Sequence, residues 1–131
     1  MRKKKPDVPC LNCGKMIRYC STYCDNQCQQ DFQYRQSILN WETVEPGYEA
    51  IRRWLKEEFG DVCSVCGISS WNDRVIVLDL EHKDGNSCNN SKENVCLICP
   101  NCHSQTDTYK GRNKGSGRHF RKIRYQSGKS Y

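Results

Sequence analysis

A chain of 131 residues, 36% hydrophobic and 27% charged, has the size of about one domain. It lacks the run of roughly 18 apolar residues that a membrane-spanning helix needs. The basic start Met1-Arg2-Lys3-Lys4-Lys5 is not followed by an apolar stretch, so it does not read as a secretory signal and an intracellular protein is expected. The net charge of +6 is uneven. Residues 108–131 hold eight Lys/Arg and no acid, and the rest of the chain holds 13 basic and 15 acidic residues. The basicity therefore belongs to the tail, where it suits a polyanionic partner such as nucleic acid or a plain solvated extension.

Eleven cysteines are the other compositional signal. Their odd number and the absence of a secretory signal argue against a disulfide framework. Eight of them fall into short pairs with metal-knuckle spacing, which favours zinc. A mean hydropathy of −0.90 also implies little apolar burial. Structural zinc can supply folding free energy that so small a core lacks.

In chain order, residues 6–28 carry Cys10, Cys13, Cys20, Cys24 and Cys28. Residues 29–59 read as mostly helical. Tyr34, Ile38 and Trp41 share one face by i, i+4, i+7 spacing, and Glu45-Pro46-Gly47 makes a break. A second helix then carries Tyr48, Ile51, Trp54, Leu55 and Phe59 on a core-facing stripe and stops at Gly60. The β-branched run Val75-Ile76-Val77-Leu78 predicts a strand. Asp84-Gly85-Asn86 and Asn89-Asn90 predict turns, and Val95-Cys96-Leu97-Ile98 a second strand. Pro100 suits the first turn of a helix starting near Asn101. Gly111, Gly115 and Gly117 make the basic tail a flexible arm.

Two metal sites follow from spacing. Cys63, Cys66, Cys99 and Cys102 form C-x2-C…C-x2-C, four sulfurs for tetrahedral zinc. The 32 residues between Cys66 and Cys99 include both predicted strands, so zinc clamps the base of their hairpin. Cys10, Cys13, Cys24 and Cys28 form a second set, with Cys20 able to replace Cys24. In both Cys10-Leu11-Asn12-Cys13-Gly14 and Cys63-Ser64-Val65-Cys66-Gly67, glycine after the second cysteine lets the backbone turn so that amides point at the sulfurs. Cys88 and Cys96 have no evident pairing and read as spare thiols or small hydrophobes.

The clamp brackets Glu81 and His82 at the end of the first strand, Asn94 at the start of the second, and His103 directly after Cys102. The stretch Leu78-Asp79-Leu80-Glu81-His82-Lys83-Asp84-Gly85-Asn86, then Asn89-Asn90, Glu93-Asn94-Val95 and Leu97-Ile98-Cys99-Pro100-Asn101-Cys102-His103 resembles the HNH endonuclease motif. The segments around it, residues 48–67 and Thr106-Asp107-Thr108-Tyr109 with Gly111-Arg112-Asn113, resemble the phage and prophage branch of that family. Cys28-Gln29-Gln30-Asp31-Phe32 resembles its N-terminal module.

The resemblance implies a small α+β protein with a zinc-stapled ββα-metal core. It implies an N-terminal zinc-knuckle module and helix over 6–41, a nuclease domain over 47–113 and a basic tail over 114–131. His82 takes the role of general base, Asn94 braces the loop and helps to orient that base, and His103 ligates a catalytic Mg²⁺ or Mn²⁺. Glu81 stands where the family commonly has Asp or His as a metal ligand, a departure of one methylene. Imidazole titrates near neutrality and suits the activation of water. A carboxylate with an imidazole leaves coordination positions open for phosphate and water.

The expected activity is metal-dependent DNA hydrolysis, by nicking or double-strand cleavage, in the cytoplasm of a bacterium or phage-infected host. Arg112, Lys114, Arg118, Arg121, Lys122 and Arg124 are the expected DNA-backbone contacts. Phosphate contacts alone fit RNA as well. The competing class is a zinc-stapled DNA-binding or adaptor module without catalysis, which the set Glu81, His82, Asn94 and His103 disfavours.

Overall fold

The computed structural model describes residues 4–112 and 117–128, with side chains for all of these except 111 and 117–121. It is a small α+β structure made of two compact units, Met1–Ala50 and Ile51–Tyr131.

The first unit begins with β1 (Val8–Pro9) and β2 (Met16–Ile17), an antiparallel pair around the first knuckle. Helix α1 (Asn26–Leu39) starts three residues earlier than the predicted segment, because Asp25 caps it: its side chain accepts from the Cys28 amide at 2.7 Å. Helix α1 has no fully buried residue. Trp41 is buried but lies beyond the helix end, so the predicted face ends in a turn and not on the helix.

Helix α2 (Tyr48–Phe59) follows, and the division between the two units falls inside it. Ile51 and Leu55 are fully buried, whereas Phe59 is 69% exposed and packs edge-to-face on Trp54, so the predicted core stripe stops at Leu55. Gly60 ends the helix at φ 84°, its amide bonding the Lys56 carbonyl. Beyond the second knuckle, β3 (Ser70–Trp71) and β4 (Arg74–Val75) form a tight hairpin. Asn72 and Asp73 both take positive φ, the geometry of a two-residue primed turn.

The predicted strand over 75–78 is corrected. The longer strand is β5 (Asp79–His82), paired antiparallel with β6 (Val95–Ile98) so that Asp79 faces Ile98 and His82 faces Val95. Val75 and Val77 are exposed and only Leu78 of that run is buried. β-Branched propensity marked the approach to the strand, while cross-strand pairing decided where the ladder lies. Helix α3 (Pro100–Ser104) follows β6 at once, with Pro100 in its first turn, and lies against β5.

The buried core of this unit is Ile51, Leu55, Cys63, Leu78, Val95, Leu97, Ile98 and Cys99. Arg52 Nη1 donates to the Leu78 carbonyl at 2.9 Å and so ties α2 to the start of β5. The tail is also corrected: a short 3₁₀ turn (Lys110–Arg112) is followed by helix α4 (Gly117–Gln126) where a flexible arm was expected. No helix among the described residues is long and apolar enough to cross a membrane.

The contrast within α2 is testable by chemical denaturation at fixed metal concentration. Leu55→Ala should cost about 2–5 kcal/mol through lost burial and a residual cavity. Phe59→Ala should cost only the ring contact, about 0.5–1.5 kcal/mol. Equal losses would show that the apolar stripe runs the whole helix.

Candidate metal centres and active site

Both four-cysteine groups assemble as spacing predicted. The reactive atoms of Cys10, Cys13, Cys24 and Cys28 lie within 4.8 Å of one another, as do those of Cys63, Cys66, Cys99 and Cys102. Cys24, in place of Cys20, completes the first set, and Cys20 is exposed. The positions follow from local structure. Gly14 and Gly67 both take positive φ and bond back to the carbonyls of Cys10 and Cys63, closing each knuckle. The Cys24 amide lies 3.4 Å from Cys10 Sγ, and the Cys102 amide 3.4 Å from Cys99 Sγ. In the second group Cys99 also caps α3, so one residue follows β6, belongs to the four-cysteine group and starts the helix.

The geometry suits a tetrahedral metal. Cys13 and Cys24 sulfurs are 3.8 Å apart, as are those of Cys66 and Cys99. That is close to the edge of a tetrahedron with metal–sulfur bonds of about 2.3 Å, the length found with zinc, and far beyond a disulfide. The electrostatics agree. Amide donors, led by Cys13, pull Cys10 down to about 6. Burial raises Cys63, but amide donors from Cys66, Cys99 and Val65 outweigh it and bring it to about 6. In the same clusters, hydrogen bonding to Cys28 and burial push Cys24 up, and hydrogen bonding to Cys66 and burial push Cys102 up to about 12. A bare cluster thus ionises one thiol readily and resists the next, and a divalent cation removes that opposition. Both groups could hold zinc.

Glu81 and His103 meet beside the second group. His103 stands on α3 directly after Cys102, and its Nε2 lies 3.3 Å from Glu81 Oε2. Its Nδ1 lies 3.1 Å from Asp79 Oδ2, and the Tyr109 ring packs edge-on at 5.2 Å. Asp79 and Glu81 share a face of β5 because strand side chains alternate. Thr108 Oγ1 donates to Glu81 Oε1 at 2.8 Å. Glu81 is 9% exposed. A cavity of about 550 Å³ borders Glu81 and Thr108, with Lys83 and Lys92 among its lining and mostly apolar walls.

The same alternation sends His82 away from Glu81 and His103, and its Nε2 lies 2.7 Å from Asn90 Oδ1. Asn90 is 5% exposed. Asn94 braces the loop between the strands: its Nδ2 donates to Asp84 Oδ1 at 2.9 Å and to the Asn89 carbonyl at 2.7 Å, and its Oδ1 accepts from the Asp84 amide at 3.1 Å. Burial raises the Asp84 carboxyl, but donors from Asn89, Asn86 and Asn94 and the nearby His82 hold it below its ordinary value.

Asp79, Asn90 and Thr108 were missed as site residues. Asp79 carried the one available signal, its i, i+2 relation to Glu81. Among the tail cations, Arg112 Nη1 donates to the Ser104 and Thr106 carbonyls at 3.0 and 3.1 Å. Lys122 is exposed and Arg124 half-buried on α4. Lys114 and the side chains of Arg118 and Arg121 lie outside the described residues.

No protein-family model matches the chain, and no solved structure matches it. Among curated proteins, 53 residues are 55% identical to the H-N-H endonuclease F-TflIV of Escherichia phage T5. The match covers 40% of this chain and 23% of the phage protein, so the chain spans less than a quarter of that relative. This similarity, with the two four-cysteine groups, supports assigning the chain to the HNH endonuclease family.

Metal content separates Cys24 from its rival. Elemental analysis of protein purified without added metal should give about two zinc per chain. Cys24→Ser should lose one equivalent, and Cys20→Ser should keep both. A zinc-free protein with disulfides by mass spectrometry would overturn both assignments.

Proposed function

We propose that the chain is a metal-dependent HNH endonuclease that hydrolyses DNA phosphodiester bonds. In this reading residues 47–113 form the zinc-stapled ββα-metal nuclease domain, residues 6–41 a zinc-binding module and residues 114–131 a backbone-binding tail. The observation that carries the reading is the approach of His103 Nε2 to Glu81 Oε2, placed by a helix that starts at a cysteine of the second group. The identity to a phage H-N-H endonuclease supports the reaction class.

Glu81 and His103 suit a hard or borderline divalent ion, Mg²⁺ or Mn²⁺, while the sulfur sites suit zinc. Such an ion supplies neutralisation of the charge that builds on the phosphate and leaving oxygen. His82 acts as the base. Asn90 Oδ1, 2.7 Å from its Nε2, orients the ring, and the imidazole takes a proton from the attacking water. The water oxygen bonds to phosphorus, the P–O bond to the leaving 3′ oxygen breaks, and that oxygen takes a proton from solvent water. Asn94 keeps the loop after His82 in shape through its three side-chain bonds. Lys122 and Arg124, with Lys114, Arg118 and Arg121, bind DNA phosphates, each contact adding about 0.9 to the salt slope on duplex DNA. The protein acts in the cytoplasm of a bacterial or phage-infected host cell.

Supercoiled plasmid incubated with Mg²⁺ or Mn²⁺, with EDTA as control, tests the reading. Wild type should convert plasmid to nicked or linear form only with metal. His82→Ala should lower the rate by about 10²–10⁴ with zinc content and DNA affinity unchanged. A metal-dependent wild type matched by His82→Ala would remove the base assignment. A wild type that binds plasmid and never cuts it would make the chain a binding module.

A further inference from the structure

The residues assigned to the divalent ion are each held by a neighbour. His103 has an acceptor on both ring nitrogens: Asp79 Oδ2 at 3.1 Å from Nδ1 and Glu81 Oε2 at 3.3 Å from Nε2. A neutral imidazole has one N–H and one lone pair. Donating the Nδ1 proton to Asp79 leaves the Nε2 lone pair facing a carboxylate oxygen, an arrangement that favours a cation between them. Asp79 also belongs to the strand that carries Glu81, so one element sets the ligand and its partner's orientation. On the other side, Thr108 Oγ1 occupies Glu81 Oε1 at 2.8 Å, which turns Oε2 towards His103. Arg112, bonded to the carbonyls of Ser104 and Thr106, holds the segment that delivers Thr108. The Tyr109 ring edge restrains the imidazole.

We propose that Asp79 and Thr108 are the positioning residues of the divalent-metal site. Asp79 fixes the His103 tautomer so that Nε2 is the donor atom, and Thr108 fixes the Glu81 carboxylate so that Oε2 is. Neither ligates the ion. The arrangement is a carboxylate–histidine–metal relay with a hydroxyl support on the second ligand. Asp79 is half-exposed, with 41% of its side chain accessible, so its replacement leaves the core intact. This inference rests on the metal-site reading of Glu81 and His103.

The test is direct Mn²⁺ binding to the full, zinc-loaded chain, read from the electron paramagnetic resonance signal of free Mn²⁺, with plasmid cleavage followed against Mn²⁺ concentration. Asp79→Ala and Thr108→Val should weaken Mn²⁺ binding about 10- to 100-fold. Their cleavage should recover at saturating Mn²⁺, with zinc content and melting temperature unchanged. Asp79→Asn, which keeps an acceptor for Nδ1–H, and Thr108→Ser, which keeps the hydroxyl, should bind within a few-fold of wild type. Wild-type affinity in Asp79→Ala or Thr108→Val would overturn the assignment of that residue. A loss in Asp79→Asn as large as in Asp79→Ala would overturn it too, by making Asp79 a direct ligand. Were Asp79→Ala to misfold, Asp79→Asn and the Thr108 pair decide the matter alone. Failure of the underlying reading has a different signature: His103→Ala and Glu81→Gln would then bind Mn²⁺ like wild type, and the inference falls with it.

Discussion

The convergence of Cys63, Cys66, Cys99 and Cys102 is the constraint on which the rest of the larger unit depends. The chain is polar, and the longest β-pair among its described residues is only four residues on each side. A two-stranded pair of that length is marginal in water on its own. A metal ion bound by the four converging cysteines would contribute folding free energy that such a pair cannot supply. The clamp acts at three points at once. It closes the knuckle after α2, it ends β6 at Ile98, and through Cys99 it caps α3. The Ser64 amide bonds the Leu97 carbonyl at 2.9 Å, so knuckle and strand are joined by backbone as well as by sulfur.

The Glu81–His103 pair is coupled to this group by chain distance. His103 is the residue after Cys102, and Glu81 lies across the ladder from Cys96, three residues before Cys99. Rotation of α3 or slippage of the ladder by one residue would therefore separate Glu81 from His103. A one-residue slip would also send Glu81 to the opposite face. The loop between the strands has its own internal order. Asp84, Asn86, Asn89 and Asn94 exchange hydrogen bonds that hold the exit from His82 without help from the core. The polar composition of residues 81–94, a weakness for core building, supplies the hydrogen bonds within that loop.

Much of this was legible in the residues, for reasons that differ. Metal ligands are fixed by local geometry, so C-x2-C-G knuckles declare themselves through spacing and through a glycine that takes positive φ. Cys24 could not be told from Cys20, because both spacings reach the site and only the fold of the 18–25 segment chooses. The strand β6 was found where an apolar run is buried. The strand β5 was displaced because its own residues are polar: Asp79 and Glu81 share the face that meets His103, His82 points the other way, and the β-branched residues before them lie largely outside the core. Local preference disagreed with tertiary placement where function was densest. The Ser70–Val75 hairpin was missed because Asn-Asp is a weaker signal for a primed turn than Asn-Gly. The Gly-rich character of the tail concealed α4, whose Arg/Lys-rich residues past Gly117 are good helix formers.

The proposed function puts two kinds of metal in one clamp-supported unit, one held by thiolates and one by carboxylate and imidazole. Anomalous scattering from crystals of the full chain grown with Mn²⁺, recorded on either side of the zinc and manganese absorption edges, addresses it directly. Zinc peaks are expected inside both four-cysteine groups and a manganese peak bonded to Glu81 and His103, with Asp79 on the far nitrogen of the imidazole. Manganese elsewhere, or zinc at Glu81 and His103 with the cysteines oxidised, would contradict it.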